Sequence, residues 1–230
     1  MKLTLPGAVK AIAVTSVVLL AVACESAPGK QGEESAEQRA MRVCRQVFGA
    51  EDVQTLTQKV GDGVKAWMLP PSRVRERLLE DARKWDPESE SHKWRNDYTS
   101  CGLDWYGEGQ KKYAYLIGEV RWSYYTMESA KRGVDRAIKL TEGVYATYGV
   151  GAGYKIIFPC RVAGAPQGQL EGMPLEVDLW GSGVNAADSA LRSRMLGSFA
   201  RDMQKLLGCS SSPRIPDNLA VPRSSQSGPN

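Results

Sequence analysis

The chain has 230 residues, 42% of them hydrophobic and 24% charged, with 30 lysines and arginines against 26 aspartates and glutamates. Two of those cations lie in residues 1–23, which hold no acid, so the rest of the chain is close to neutral and shows no long basic block. That balance excludes electrostatic nucleic-acid binding as the main task, and a single histidine with no C-x-x-C spacing argues against a structural zinc site.

Residues 1–23 read as an export signal, with Lys2 and Lys10 as its positive end and residues 11–23 as an uncharged, largely apolar run. That run is shorter than the roughly 20 apolar residues a membrane-spanning helix needs. It closes on Leu20, Ala21, Val22 and Ala23 before Cys24, a segment that resembles the lipobox of bacterial lipoproteins. The resemblance implies a diacylglyceryl group on the Cys24 sulfur and a domain held by that anchor at the outer face of the cell membrane. An ordinary secretory cut after Ala23, using Ala21 and Ala23 as the small-residue site, is the competing reading. Residues 24–35 are polar, contain Gly and Pro, and read as a tether. Residues 36–209 are expected to form one α+β domain, and residues 210–230 a disordered tail.

Within residues 36–48, Ala40, Val43, Cys44, Val47 and Phe48 recur at helical spacing until Gly49 stops the pattern. Val53, Leu56 and Val60 fit a short helix ended by Gly61 and Gly63. After Pro70 and Pro71, the stripe Val74, Leu78, Ala82 and Trp85 predicts a helix over 73–85 with Ser72 as its N-cap. Strands over 101–106 and 112–125, joined by a turn at 107–110, read as a hairpin. Ala130, Val134, Ala137 and Ile138 then predict a helix over 128–140 despite Gly133, and residues 143–153 read as loop or weak strand. Residues 154–162 and 174–180 are expected strands. The strongest helix spans 186–207, with Leu191, Met195, Phe199, Met203 and Leu207 on one face and Gly208 as its cap.

Each half thus runs Cys-bearing strand, turn, Trp-bearing strand, helix, with 21 positions from Cys101 to Trp122 and 20 from Cys160 to Trp180. The expected fold is an α+β antiparallel sheet with helices packed on one face, built from a duplicated β-β-α unit. With Cys24 assigned to lipid, Cys44, Cys101, Cys160 and Cys209 form an even set in an oxidising compartment, so two disulfides are expected. Four cysteines leave three connectivities open. The duplicated reading favours Cys101–Cys160 across the sheet and Cys44–Cys209 between the first and last helices.

The lipobox, the tether, Cys44 in an early helix, Phe158, Pro159 and Cys160 at a strand end, and a last helix closing on Leu207, Gly208 and Cys209 resemble secreted lipoproteins of unknown function from actinobacteria such as the streptomycetes. The resemblance implies location and disulfides and no activity. Cys24 alone carries a role over from it.

No nucleophile, metal or phosphate-loop motif stands out. His92 lies in a charged stretch after the second predicted long helix, and the glycines of residues 149–153 precede a strand, so they read as flexible loop. Asp104, Glu108, Glu119, Glu128, Glu176 and Asp178 lie in or near strands, and glycoside hydrolysis requires only two carboxyl groups at suitable separation. A cell-wall-acting hydrolase is therefore the alternative function. The leading expectation is a non-catalytic lipoprotein that binds an envelope glycan or a protein partner, with no cofactor and no metal. Twelve of the eighteen aromatic residues lie between Trp85 and Tyr148, and Trp105, Tyr113, Tyr115, Trp122 and Tyr124 are the expected binding surface. Strand alternation sets Tyr113 and Tyr115 on one face of the long strand and Trp122 and Tyr124 on the other.

Overall fold

The first helix, α1 (Ala36–Phe48), begins at a capping box in which the Ser35 hydroxyl accepts from the Gln38 backbone N–H and the Gln38 side chain accepts from the Ser35 N–H. Its apolar stripe, Ala40, Val43, Cys44, Val47 and Phe48, is buried as the spacing predicts. Gly49, at φ 91°, turns the chain into α2 (Ala50–Val60), which buries Val53 and Leu56. A three-residue strand, β1 (Lys65–Trp67), follows, then α3 (Pro71–Arg83). Pro71 takes the first helical position and Pro70 the cap, so Ser72 is inside the helix and does not cap it; proline has no N–H to leave unsatisfied there. The computed structural model describes residues 34–61, 63–88, 96–106, 113–133, 137–148, 154–182, 188–210, 213–217 and 219. Cys24, most of the tether, His92, Trp94, Glu108, the turn at 107–110 and the loop at 149–153 lie outside those residues.

The hairpin strands are β2 (Tyr98–Tyr106) and β3 (Tyr113–Trp122). The helix expected over 128–140 is replaced by a single turn, α4 (Met127–Lys131), and by the first strand of another hairpin. Gly133 adopts φ 76°, which ends the helix, and β4 (Ile138–Thr141) pairs with β5 (Val144–Tyr148) around a two-residue turn whose Gly143 has φ 74°. After β6 (Tyr154–Phe158) and the short α5 (Gln169–Gly172) come β7 (Leu175–Ser182) and α6 (Ser189–Leu207). Asp188 caps α6 by accepting from the Leu191 N–H at 2.7 Å, and Gly208 ends it in the left-handed conformation at φ 65°.

Among the described residues, seven strands form one antiparallel sheet in the order β1-β2-β3-β7-β6-β5-β4. This is an α+β fold with two disulfides, but the duplicated β-β-α reading fails, because four strands of the second half follow one another with only a four-residue helix between them. The disulfides are Cys44–Cys101, fastening α1 to β2, and Cys160–Cys209, fastening the segment after β6 to the end of α6. The expected pairs Cys44–Cys209 and Cys101–Cys160 are therefore incorrect. β2 and β6 are separated by β3 and β7, about 14 Å across the sheet, whereas bridged Cα atoms stand 5.4 and 4.9 Å apart.

One face of the sheet carries the core. Leu103, Trp105, Leu116, Val120, Trp122, Ile156, Val177 and Leu179 pack there against α1, α3 and α6. The Phe48 ring lies over Gly118, where an added Cβ would stand 2.7 Å from it, and meets Phe199 edge-on at 5.9 Å. The opposite face is covered at the β5–β6 end by α4, whose Met127 and Ala130 pack on Tyr145 and Ile157. The expected disordered tail is partly structured. Ile215 and Leu219 are buried in the core, and the Gln204 and Arg201 side chains donate to the Pro213 and Pro216 carbonyls.

Candidate functional site

The face of the sheet opposite the helices is built by strict alternation. On β2 it shows Gly102, Asp104 and Tyr106, on β3 Tyr113, Tyr115, Ile117, Glu119 and Arg121, and on β7 Glu176, Asp178, Trp180 and Ser182, in register with one another. Rings line one half of it. Tyr106 and Tyr113 are cross-strand partners with centroids 5.5 Å apart, Tyr113 and Tyr115 stand at 5.8 Å, and Tyr115 meets Trp180 edge-on at 5.4 Å. Next to them Trp67 of β1 lies over Gly102, where an added Cβ would come within 2.2 Å of the indole. Glycine there is what lets the ring lie flat on the sheet. Trp67, Tyr106 and Tyr113 are exposed, and Tyr115 and Trp180 are half-buried.

Of the five expected surface residues, the structure brings together only Tyr113 and Tyr115. Trp105 and Trp122, 3% and 1% exposed, belong to the core, and the Trp122 indole N–H donates to the Leu78 carbonyl at 2.8 Å, so neither can be a binding surface. Both stand on the strand parity that the helices cover. Tyr124 is exposed but lies beyond the end of β3, with the Arg121 guanidinium 5.8 Å from its ring centre. The sequence reading missed Trp67, Tyr106 and Trp180. Tyr106 was within reach, since a hairpin joining 106 to 113 puts the two tyrosines opposite each other, but Trp67 sits in a strand too short to show alternation.

The other half of this face is ionic. Glu176, 1% exposed, accepts at Oε1 from Arg121 Nε at 2.9 Å, Arg121 Nη2 at 2.7 Å and Lys155 Nζ at 3.2 Å, and at Oε2 from the Ser123 hydroxyl at 2.8 Å. Burial pushes its carboxyl up, but Arg121 and Lys155 outweigh that and hold it below the usual glutamate value. Arg121, buried and also paired with Asp97, keeps its proton more tightly than a free arginine, because Glu176 and Asp97 outweigh the cost of burial. Asp178 is the exception. Burial pushes its carboxyl up to about 6, even though Arg121 and Lys155 approach Oδ2 at 3.5 and 3.7 Å. Those contacts are long because both cations are spent on Glu176, and Asp178 Oδ1 is buried with no hydrogen-bond partner among the described residues.

Of the six strand carboxylates, then, Glu119, Glu176 and Asp178 share the ionic half, Asp104 stands alone between Lys65 and Tyr115, Glu128 is on α4, and Glu108 lies outside the described residues. A groove of about 440 Å³ runs along the β1 edge between the first turns of α1 and Lys65, Ala66, Trp67 and Met68. Among the described residues no cluster of His, Cys, Asp and Glu is placed to hold a metal ion, and no helix is long and apolar enough to cross a membrane. Fold and face define an antiparallel α+β protein with one open, aromatic sheet surface. Comparison with family models, with curated proteins and with solved structures finds no match.

Proposed function

We propose that the chain is a lipid-anchored extracytoplasmic protein, non-catalytic, that docks an envelope component or a protein partner on the open face of its sheet. The observation that carries this reading is the continuous row of rings from Tyr106 through Tyr113 and Tyr115 to Trp180. Indole and phenol rings combine a large apolar contact with a polar edge, which suits sugar faces and wet interfaces. The lipobox at Cys24 supports a position at the outer face of the membrane, as does the resemblance to actinobacterial secreted lipoproteins. A hydrolase using strand carboxylates is less well supported. The reaction needs two available carboxyl groups, and both Glu176 oxygens are already taken by Arg121, Lys155 and Ser123, which leaves only Asp178, itself buried, with its cross-strand partner Glu119 in that half.

Two measurements test the reading. Mass spectrometry of the mature N-terminus should find diacylglyceryl on Cys24, and an unmodified start there defeats the anchor. Envelope glycan and protein fractions passed over the immobilised protein should be retained by wild type and lost by Tyr115→Ser/Trp180→Ser. Equal retention defeats the docking role.

A further inference from the structure

We infer that Trp67, Tyr106 and Tyr113, on the β1–β3 side of the open face, sit in the lipid–water interface of the membrane that carries the anchor. This assigns the Tyr106–Tyr113 end of the ring row to the membrane and leaves Tyr115 and Trp180 for docking, and it rests on the reading of Cys24 as lipidated.

The first ground is where the exposed rings are. Among the described residues, the large apolar side chains that are exposed are Trp67 at 42%, Tyr106 at 69%, Tyr113 at 45% and Tyr124 at 48%. Three of the four lie on the β1–β3 side of the open face: Tyr106 and Tyr113 face each other at the hairpin end of β2 and β3, and Trp67 is on the adjoining edge strand opposite Gly102, about 13 Å further along β2. The second ground is what else is there. The groove along β1 has Ala36 and Glu37 on one side and Lys65 and Trp67 on the other, so the point where the chain enters the domain and the Trp67 ring belong to the same corner.

Chain length ties that corner to the bilayer. Cys24 and Glu34 are ten residues apart, a reach of at most about 35 Å when fully extended, against a width of about 40 Å for a domain of this length. Short tethers also give effective concentrations of about a millimolar, so a contact too weak to hold a free protein is occupied here.

The chemistry fits an interface more than a charged surface. Tryptophan and tyrosine settle at headgroup level, where the ring is dry and its N–H or O–H wet. The cations Arg39, Arg42 and Lys65 at this corner are matched by Glu34, Glu37 and Asp104, with Arg42 bonded to Glu34 at 3.0 Å. Among the described residues the charges at this corner thus balance, while Lys111 and Lys112 before Tyr113 lie outside those residues, and the rings supply a second attachment beside the acyl chains.

The test uses the lipidated chain in phosphatidylcholine vesicles containing lipid brominated in the upper acyl chain, which quenches nearby indole fluorescence. Wild type should be quenched, Trp67→Phe, which keeps a ring over Gly102, should lose most of that quenching, and Tyr106→Ser/Tyr113→Ser should reduce it. Equal quenching of wild type and Trp67→Phe overturns the proposal. So does shielding of Trp67 from aqueous iodide that arises only with an envelope protein extract, which marks a protein surface, or only at high protein concentration, which marks self-association. If the mature N-terminus proves unlipidated, the anchor reading fails by itself. Unlipidated wild type mixed with the same vesicles then tests the corner, with the same loss in Trp67→Phe as support and no difference as refutation.

Discussion

Trp122 and Trp180 stand on neighbouring strands of one sheet and do opposite things. Trp122 is on the face that α1, α3 and α6 cover, with its N–H satisfied by the Leu78 carbonyl. Trp180 is on the other face, half-buried and edge-on to Tyr115. Both disulfides fasten helices on the core side, at Cys101 of β2 and at Cys160 just beyond β6. The rings of one face are spent on stability, while those from Tyr106 to Trp180 on the other lie outside the part that α4 covers and are available for contact.

Replacing Trp122 by Ala should have the largest effect, about 3–5 kcal/mol, read by urea unfolding, with the Leu78 carbonyl losing its indole donor as well. Removing either disulfide as a Cys→Ala pair should cost about 4 kcal/mol in the loop-entropy model, since the bridges close 57 and 49 residues. Non-reducing peptide mapping should recover Cys44 with Cys101 and Cys160 with Cys209. Any other pairing overturns the topology and, with it, the contrast between the two faces.

The ionic half of the open face sharpens the contrast through pH. Asp178 is raised from 3.8 to about 6, so the folded protein holds that proton after the unfolded chain has released it, and stability falls as pH rises through that window. The loss is worth about 3 kcal/mol, and Asp178→Asn should abolish it. Comparison of the two unfolding profiles between pH 4 and pH 7 checks this. Glu176 acts in the other direction: its lowered value contributes stability above the ordinary glutamate range that is lost at more acid pH, outside the Asp178 window.

Smaller effects mark the boundary between the faces. Gly118→Ala should cost about 1–3 kcal/mol, because the new methyl meets the Phe48 ring at 2.7 Å. Trp180→Ala should cost about 1 kcal/mol or less while removing retention of the partner. If it destabilises as strongly as Trp122→Ala, the two faces do not differ as described.

Much of this was legible in the sequence wherever a local period decides the structure. The stripe of α1, the run from Leu191 to Leu207 and the alternation of β3 all give the observed elements, and that same alternation already separated Tyr113 from Trp122. What was illegible depends on strand order. Helical spacing across 128–140 competes with a β-hairpin that only Gly133 and Gly143 reveal, and once β4 and β5 exist the duplication and both cysteine pairings change with them. Trp180 joins the ring row solely through its register with Ile117 on β3, which sets it diagonally beside Tyr115, a pairing that no local pattern encodes. The ionic cluster likewise draws Asp97, Arg121, Lys155 and Glu176 from four separate segments.

A seven-stranded open sheet has two free edges, and both are poor templates for another chain. β1 is three residues long, contains Lys65 and runs towards Pro70 and Pro71, and β4 is four residues long and contains the exposed Lys139. Short edges bearing lysine resist strand addition. Copies crowded side by side can therefore display an aromatic surface without zipping edge to edge into polymers.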